Sequence, residues 1–421
     1  MITTIIKKDI HHLEMNSLLP QQIEVKTKLM PNKVGALFMK PGTAKTRPTI
    51  EMVNAVDGLD LVVWVGPLRS IKPKDGLPSI IDEINKWGGF NCPNVVYMGI
   101  ETLQLSDRSY LQLYKQIATA WRCFLVVDES IKMKNFEAKR TKRMLTLGAM
   151  VEYKLILNGT PITKNLLDLW SQIHFLSPLI LRMDYAEFKN TFLKYTKITK
   201  HGGYGRSYTK EFITGIENID YLYSLIGEYI FECDLNLEIK QYWNNYNYTL
   251  CDETKHEYDF LKEKYLDDKT LEEKNNNIFL EMTQKMQHTY CCTENKFEVL
   301  QKHFKTYPEE KHIIFCKFVR SQEEVKQAFP KAQVLSYQKE SMSLNLQNYP
   351  YTIFWDKNFD WGLREQGTFR NYRTGNIDDC YYWDMTGNVG LELLFDKNVK
   401  AKTSLVEYFK KVGRENLKKE L

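Results

Sequence analysis

Short apolar runs punctuate the first half of the chain at Val34–Met39, Leu61–Val65, Val95–Tyr97, Phe124–Val127 and Lys154–Leu157, with stretches of helical character between them. Strands that alternate with helices predict a parallel sheet covered on both faces. Each run except Val95–Tyr97 is followed within a few residues by polar or glycine-containing sequence. Ligands of such sheets bind beyond the carboxyl ends of the strands, so these are the places to look for chemistry.

From about Leu179 to Tyr248 the pattern weakens, around the stretch His201-Gly-Gly-Tyr-Gly-Arg206, and predicts a small, mostly helical insertion or connection. Asp252 to Asn277 mixes Glu, Asp and Lys with apolar Tyr258, Leu261, Tyr265 and Leu266, the pattern of an exposed helix. A second alternating region runs from Phe297 to about Phe409, with strands predicted at His312–Cys316, Gln333–Ser336, Thr352–Trp355 and Cys380–Trp383. The expected fold class is therefore α/β, with two similar lobes in tandem. The first covers residues 1–231, with the insertion at about 179–231, and the second covers 236–421.

Composition narrows this further. A chain of 421 residues with 43% hydrophobic and 26% charged positions is expected to be soluble and globular, with more than one domain. The net charge of +5 is mild, so a nucleic-acid partner is permitted and its contacts must be local. The eight cysteines form no CxxC pair and read as reduced, intracellular thiols, with no structural metal expected. The apolar start Met1-Ile-Thr-Thr-Ile-Ile meets Lys7 and Lys8 too soon for a signal peptide. No run reaches the roughly 18 apolar residues of a membrane span, so no membrane partner is expected and a cytoplasmic location follows.

After the run ending at Met39 comes Lys40-Pro-Gly-Thr-Ala-Lys-Thr46, a phosphate-loop signature with one substitution. Backbone N–H groups of such a loop, here from Gly42 and Thr43 onward, cradle phosphate; Lys45 is the candidate for the terminal phosphates and the Thr46 hydroxyl for magnesium. Ala44 stands where glycine is usual, and its Cβ threatens to crowd the loop. Taken alone, the segment reads equally well as a plain strand-to-helix turn. Phe124–Val127 leads into Asp128-Glu-Ser130, where Asp128 suits magnesium and Glu129 suits the proton of an attacking water. Acids favoured by a helix dipole are the alternative for that segment.

Further along stand Leu155-Ile-Leu-Asn-Gly-Thr-Pro161, Asn165 and Asp168-Leu-Trp-Ser-Gln172, and later Lys311-His-Ile-Ile-Phe-Cys-Lys317, Ser343-Leu-Asn-Leu-Gln347 and Gln366-Gly-Thr-Phe-Arg-Asn-Tyr-Arg373. In order and spacing these resemble motifs III to VI of the Snf-type double-stranded DNA translocases of helicase superfamily two. Leu61-Val-Val-Trp-Val-Gly-Pro67 then resembles motif Ia, Asp128-Glu-Ser130 motif II, and Gln22 the upstream glutamine that reads adenine. The compact form resembles copies carried by phages and mobile elements, which would place it in a bacterial or host cytoplasm.

The resemblance implies two RecA-like lobes, ATP and Mg2+ in the cleft between them, and movement along nucleic acid, most of all duplex DNA, by a monomer. Arg370 and Arg373, with Gln366, would reach the γ phosphate, and on one predicted helix these residues at i, i+4 and i+7 share a face. Gly159, Thr160, Asn345, Lys134 and Lys142 would couple the lobes or contact DNA. Other basic residues, Lys132, Lys139, Arg140 and Arg143 after motif II and Lys194, Lys197, Lys200, Arg206 and Lys210 in the insertion, suit a phosphate backbone or an ordinary solvated surface. The sequence departs from the family at Ala44, at Met342-Ser343 in motif V, and in a second lobe that is short between Ser336 and Ser343. Those departures motivate a rival expectation, a degenerate motor that grips nucleic acid with little turnover.

Overall fold

The computed structural model describes residues 18–73, 77–162, 166–201, 207–266, 276–337, 346–358, 360–374 and 376–400. The chain divides into two compact units, Met1–Leu235 and Asn236–Leu421.

In the first unit, β1 (Val34–Met39), β2 (Leu61–Gly66), β3 (Val95–Gly99), β4 (Cys123–Asp128) and β5 (Tyr153–Asn158) are followed by β6 (Leu193–His201), β7 (Ser207–Ile216) and β8 (Ile230–Cys233). All but β6 and β7 form one six-stranded sheet in the order β3-β2-β4-β5-β1-β8, every pairing parallel. Its strands are apolar without alternation because both faces are covered. Val63, Val65, Leu125, Val127 and Ile156 enter one core with Leu147, Phe175 and Trp170, whereas their neighbours Val62, Trp64, Val126 and Leu157 enter another with Val25, Ile50 and Val53. Four helices matter below: α1 (Pro20–Leu29), α2 (Thr46–Asn54), α3 (Lys139–Ala149) and α4 (Leu167–Leu176). Where a mostly helical insertion is expected, the segment carries an antiparallel hairpin, β6 with β7, alongside short helices at Tyr185–Phe192 and Ile219–Ile226. The reason is local: between Lys194 and Lys200 four of the five residues, Tyr195, Thr196, Ile198 and Thr199, are β-branched or aromatic, types that favour strands, and a glycine-rich stretch follows.

In the second unit, β9 (Gln241–Tyr248), β10 (His312–Cys316), β11 (Gln333–Ser336), β12 (Tyr351–Phe354) and β13 (Cys380–Gly387) form a parallel sheet in the order β11-β10-β12-β13-β9. The helix α5 (Trp361–Thr368) lies over it, and Gly367 lets the helix approach the rings of Phe315 and Phe354, to which an added Cβ would come within 3.3 and 3.5 Å. The segment that makes this lobe short in sequence, together with Ser343 to Asn345 of motif V, lies outside the described residues.

Several buried polar groups in this unit are paired in chains. Lys296 is only 1% exposed; it meets Asp356 at 3.2 Å and sits 4.5 Å above the Trp355 ring. Farther down the same sheet, the Nδ1–H of His312 donates to the Pro308 carbonyl at 2.8 Å, so its Nε2 accepts from Nε2–H of His303 at 2.7 Å, and Nδ1 of His303 accepts from the Tyr246 hydroxyl at 2.8 Å. Burial pushes both imidazoles down, His303 to about 3, with His312 adding to the effect, and His312 to about 4.

Candidate nucleotide and nucleic-acid site

The loop after β1 turns sharply, with Gly42 at φ +87° and Ala44 at φ +60°. Glycine adopts that left-handed region freely, but a Cβ there costs about 1–2 kcal/mol. Gln22 of α1 holds the strained peptide in place. It is buried, its Oε1 accepts from the Leu19 N–H at 2.9 Å, and its Nε2 donates to the Ala44 carbonyl at 2.9 Å. Because the Leu19 N–H can only donate, the network fixes which end of the amide faces Ala44. Thr43 is also buried and closes the turn through its hydroxyl, which donates to the Lys40 carbonyl at 2.7 Å. The Lys45 ammonium folds back to the Met39 carbonyl at 2.8 Å. Thr46 opens α2, whose first N–H groups point back at the loop.

The strand order puts β5 between β1 and β4, so three sets of predicted residues share one end of the sheet. Asp128 ends β4, largely buried, and its Oδ1 accepts from the Glu129 N–H at 3.0 Å. Glu129 takes φ +52°, a second left-handed residue that is not glycine, and its chain then enters a short 3-10 turn, Ser130–Met133. Strained backbone of this kind gathers at functional sites. Asn158 ends β5, and its Oδ1 accepts from the Thr160 N–H at 3.3 Å. Gly159 lies against Pro41 of the phosphate loop.

The last residue of Asp168-Leu-Trp-Ser-Gln172, to which the sequence alone assigns no role, ties these parts together. Gln172 of α4 is fully buried; its Oε1 accepts from the Ser130 hydroxyl at 2.7 Å and from Asn158 Nδ2 at 3.3 Å, while its Nε2 donates to the carbonyls of Pro161 and Asp168, each at 2.8 Å. The signal was available, since Gln172 falls in the apolar phase of α4 set by Leu169, Ile173 and Leu176, where a polar side chain calls for partners.

The basic residues after motif II do not act alike. Lys132 pairs with Glu101 at 2.7 Å, Lys139 pairs with Asp107 at 2.7 Å, and Arg143 pairs with the same Asp107. These contacts spend charge within the unit. Lys134 stands 4.0 Å from Asp168, and Lys142 is exposed on α3.

In the second unit Gln366 lies on α5, with a buried Oε1 that has no hydrogen-bond partner among the described residues. The expectation that Gln366, Arg370 and Arg373 project from one helix face requires correction, because α5 ends at Thr368. Beyond it, buried Asn371 donates to the Tyr349 carbonyl and to Thr352 Oγ1, both at 3.0 Å, and accepts from the Tyr382 hydroxyl at 2.9 Å. The Arg370 carbonyl accepts from the Leu346 N–H at 3.1 Å, which draws the backbone out of the helical path and joins motif VI to the end of motif V. Arg370 is buried at 4% exposure and Arg373 is half-buried. Arg364, which the sequence reading passed over, forms a two-pronged pair with Asp384, one prong at 2.6 Å, and lies 4.4 Å above the Phe354 ring. Asn345 lies outside the described residues.

Comparison with known proteins identifies a family. A family model described as SNF2-related domain matches residues 82–353, about two thirds of the chain. The chain belongs to that family. Among curated relatives, Helicase SWR1 of Debaryomyces hansenii is 36% identical over 90 residues, 21% of this chain and 5% of that protein. ATP-dependent helicase brm of Drosophila melanogaster is 29% identical over 167 residues, 36% of this chain and 10% of that protein. Probable ATP-dependent DNA helicase CHR12 of Arabidopsis thaliana is 28% identical over 175 residues, 35% and 15% respectively. The aligned stretches therefore span a small part of these relatives. The solved structure "Sulfolobus solfataricus SWI2/SNF2 ATPase core in complex with dsDNA" is 18% identical, with a TM-score of 0.40, covering 96% of this chain and 97% of that one. No helix among the described residues is long and apolar enough to cross a membrane.

Proposed function

We propose that the chain is an ATP-driven motor on nucleic acid, with duplex DNA as its track. The observation that carries this reading is the gathering of Lys45, Thr46, Asp128, Glu129 and the Asn158–Pro161 loop at the carboxyl end of one parallel sheet, on the elements the family uses for nucleotide. Lys45 brings a point charge to the terminal phosphates once it leaves the Met39 carbonyl, and Gln22 is the residue assigned to adenine. Asp128 and the Thr46 hydroxyl are hard oxygen donors of the kind Mg2+ takes alongside nucleotide phosphates, and they would hold it. Bound there, the ion neutralises phosphate charge. Glu129 orients the attacking water. Arg370 and Arg373 of the second unit supply charge to the transition state, and Gln366 is the third residue of the same motif assigned to the reaction. Gly159, Thr160 and Asn345 couple nucleotide state to movement, while Lys134 and Lys142 follow the phosphate backbone, a contact that needs charge and no base reading.

The second reading, a degenerate module that grips nucleic acid, is favoured by Ala44 at φ +60° and by the inward fold of Lys45. Phosphate release measured alone and with duplex DNA, single-stranded DNA and RNA separates the two. The motor reading expects release to rise most with duplex DNA. Equal, near-zero release in all four supports the module instead.

A further inference from the structure

Helix α4 touches two different regions from one stretch of its length. In its first turn Asp168 Oδ2 lies 4.0 Å from the Lys134 ammonium, and the Ser171 hydroxyl donates to the Lys134 carbonyl at 3.4 Å. One turn on, Gln172 binds Ser130, the residue after Glu129, and binds Asn158 and Pro161 on either side of Gly159. Gln172 also donates to the Asp168 carbonyl at 2.8 Å, so the two turns are linked by its own side chain. Packing alone does not ask for this. The neighbours Leu169, Ile173 and Leu176 are core residues, and an apolar side chain would fill the same place without the several kcal/mol at stake when a buried amide loses its partners.

We propose that Gln172 is a positioning residue that couples nucleic-acid contact at Lys134 to the alignment of Asp128 and Glu129 with the phosphate loop. The inference rests on the motor reading above. A phosphate backbone that engages Lys134 competes with Asp168 for its ammonium. The first turn of α4 then shifts, and Gln172 carries the shift to Ser130 and to the Asn158–Pro161 loop, whose Gly159 touches Pro41. Reacting groups are sensitive to small displacements, with about 1 Å costing on the order of a hundredfold in rate.

A purely structural role for Gln172 lowers turnover with and without DNA alike, so the informative quantity is the ratio of the two. Gln172→Met keeps the volume and removes every hydrogen bond. Ser130→Ala removes one link with little disturbance and serves if the first variant folds poorly. The ratio of duplex-stimulated to unstimulated phosphate release should fall about tenfold in Gln172→Met and by less in Ser130→Ala. DNA affinity should stay within about threefold, and the double variant should be no worse than Gln172→Met, as expected when both act through one contact. A ratio that survives in both variants, or two losses that multiply in the double variant, overturns the proposal. A wild-type ratio of one is a different failure, because it removes the motor reading itself.

Discussion

Gly159 and Pro41 stand so close that a Cβ added to the glycine would lie 2.6 Å from the proline Cδ and 2.8 Å from its Cγ. The loop after β5 and the phosphate loop after β1 thus bear on each other through a glycine that nothing larger can replace without movement. The proline ring cannot rotate away. Overpacking of this kind costs about 1–3 kcal/mol. Expressed in the nucleotide loop, Gly159→Ala should lower kcat/KM for ATP by about ten- to a hundredfold, with DNA affinity unchanged. Steady-state hydrolysis by the variant checks this, and wild-type kinetics would show that the contact has no bearing on catalysis.

Ala44→Gly tests the strain in the same loop. Left-handed backbone costs alanine about 1–2 kcal/mol, and glycine gives back roughly 0.5–1 kcal/mol through its freer unfolded chain, so a net gain of a few tenths to about 1 kcal/mol is expected. Denaturant midpoints measure it. Turnover at saturating DNA should also rise, since the cradle no longer relies on the bond from Gln22 to hold its shape. Slower hydrolysis or weaker nucleotide binding would mean that the loop has adapted around alanine.

Arginine at position 373 is expected to act mainly in the transition state. Its planar fork can hold two phosphate oxygens at once, which lysine does not match. Arg373→Lys should therefore be nearly as damaging as Arg373→Ala, each lowering the turnover number while ATP affinity stays within several-fold of wild type. Loss of such an arginine can reach about a thousandfold. Single-turnover hydrolysis with separate nucleotide-binding measurements, repeated for Arg370→Ala, reads this out; unchanged rates in all three variants would exclude the second unit from the reaction.

The buried imidazole pair gives the second unit an acid-sensitive element. His303 and His312 titrate at about 3 and about 4 in the folded chain, against 6.5 when free. The unfolded chain therefore binds more protons between those values, so the pair's contribution is present above pH 6.5 and is lost as pH falls toward 4. Denaturant midpoints at pH 7.5, 6 and 5 should decline across that window, and His303→Phe should decline less steeply from a lower starting stability. An equal slope in the variant would place the acid sensitivity elsewhere.

Much of the first unit was legible in the sequence because most of its strands are buried on both faces and stand out as apolar runs, several of them ending at the candidate site residues. Phe124–Val127 followed by Asp128-Glu129 is one such case. The hairpin at β6 and β7 was harder to read, since lysine and threonine interrupt its apolar residues and leave no continuous apolar run. The end of α5 at Thr368 was hidden for another reason: the sequence Gln366 to Arg373 has no proline, and the bonds that hold the chain off the helical path, from Leu346 to the Arg370 carbonyl and between Asn371, Thr352 and Tyr382, come from segments distant in the chain. Gln172 shows the same limit. Its residue type was visible, but its four partners come from three separate segments.

Turnover of ATP through Lys45 on DNA is what distinguishes a motor from a binding module. Phosphate release at saturating ATP and duplex DNA, compared between wild type and Lys45→Ala, is the decisive measurement, because Lys45 directly before the Thr46 hydroxyl holds the position from which the lysine of this loop signature reaches the terminal phosphates. DNA-stimulated release is expected in the wild type and its loss in the variant, with duplex binding retained. Equal release by the two proteins would contradict the motor reading.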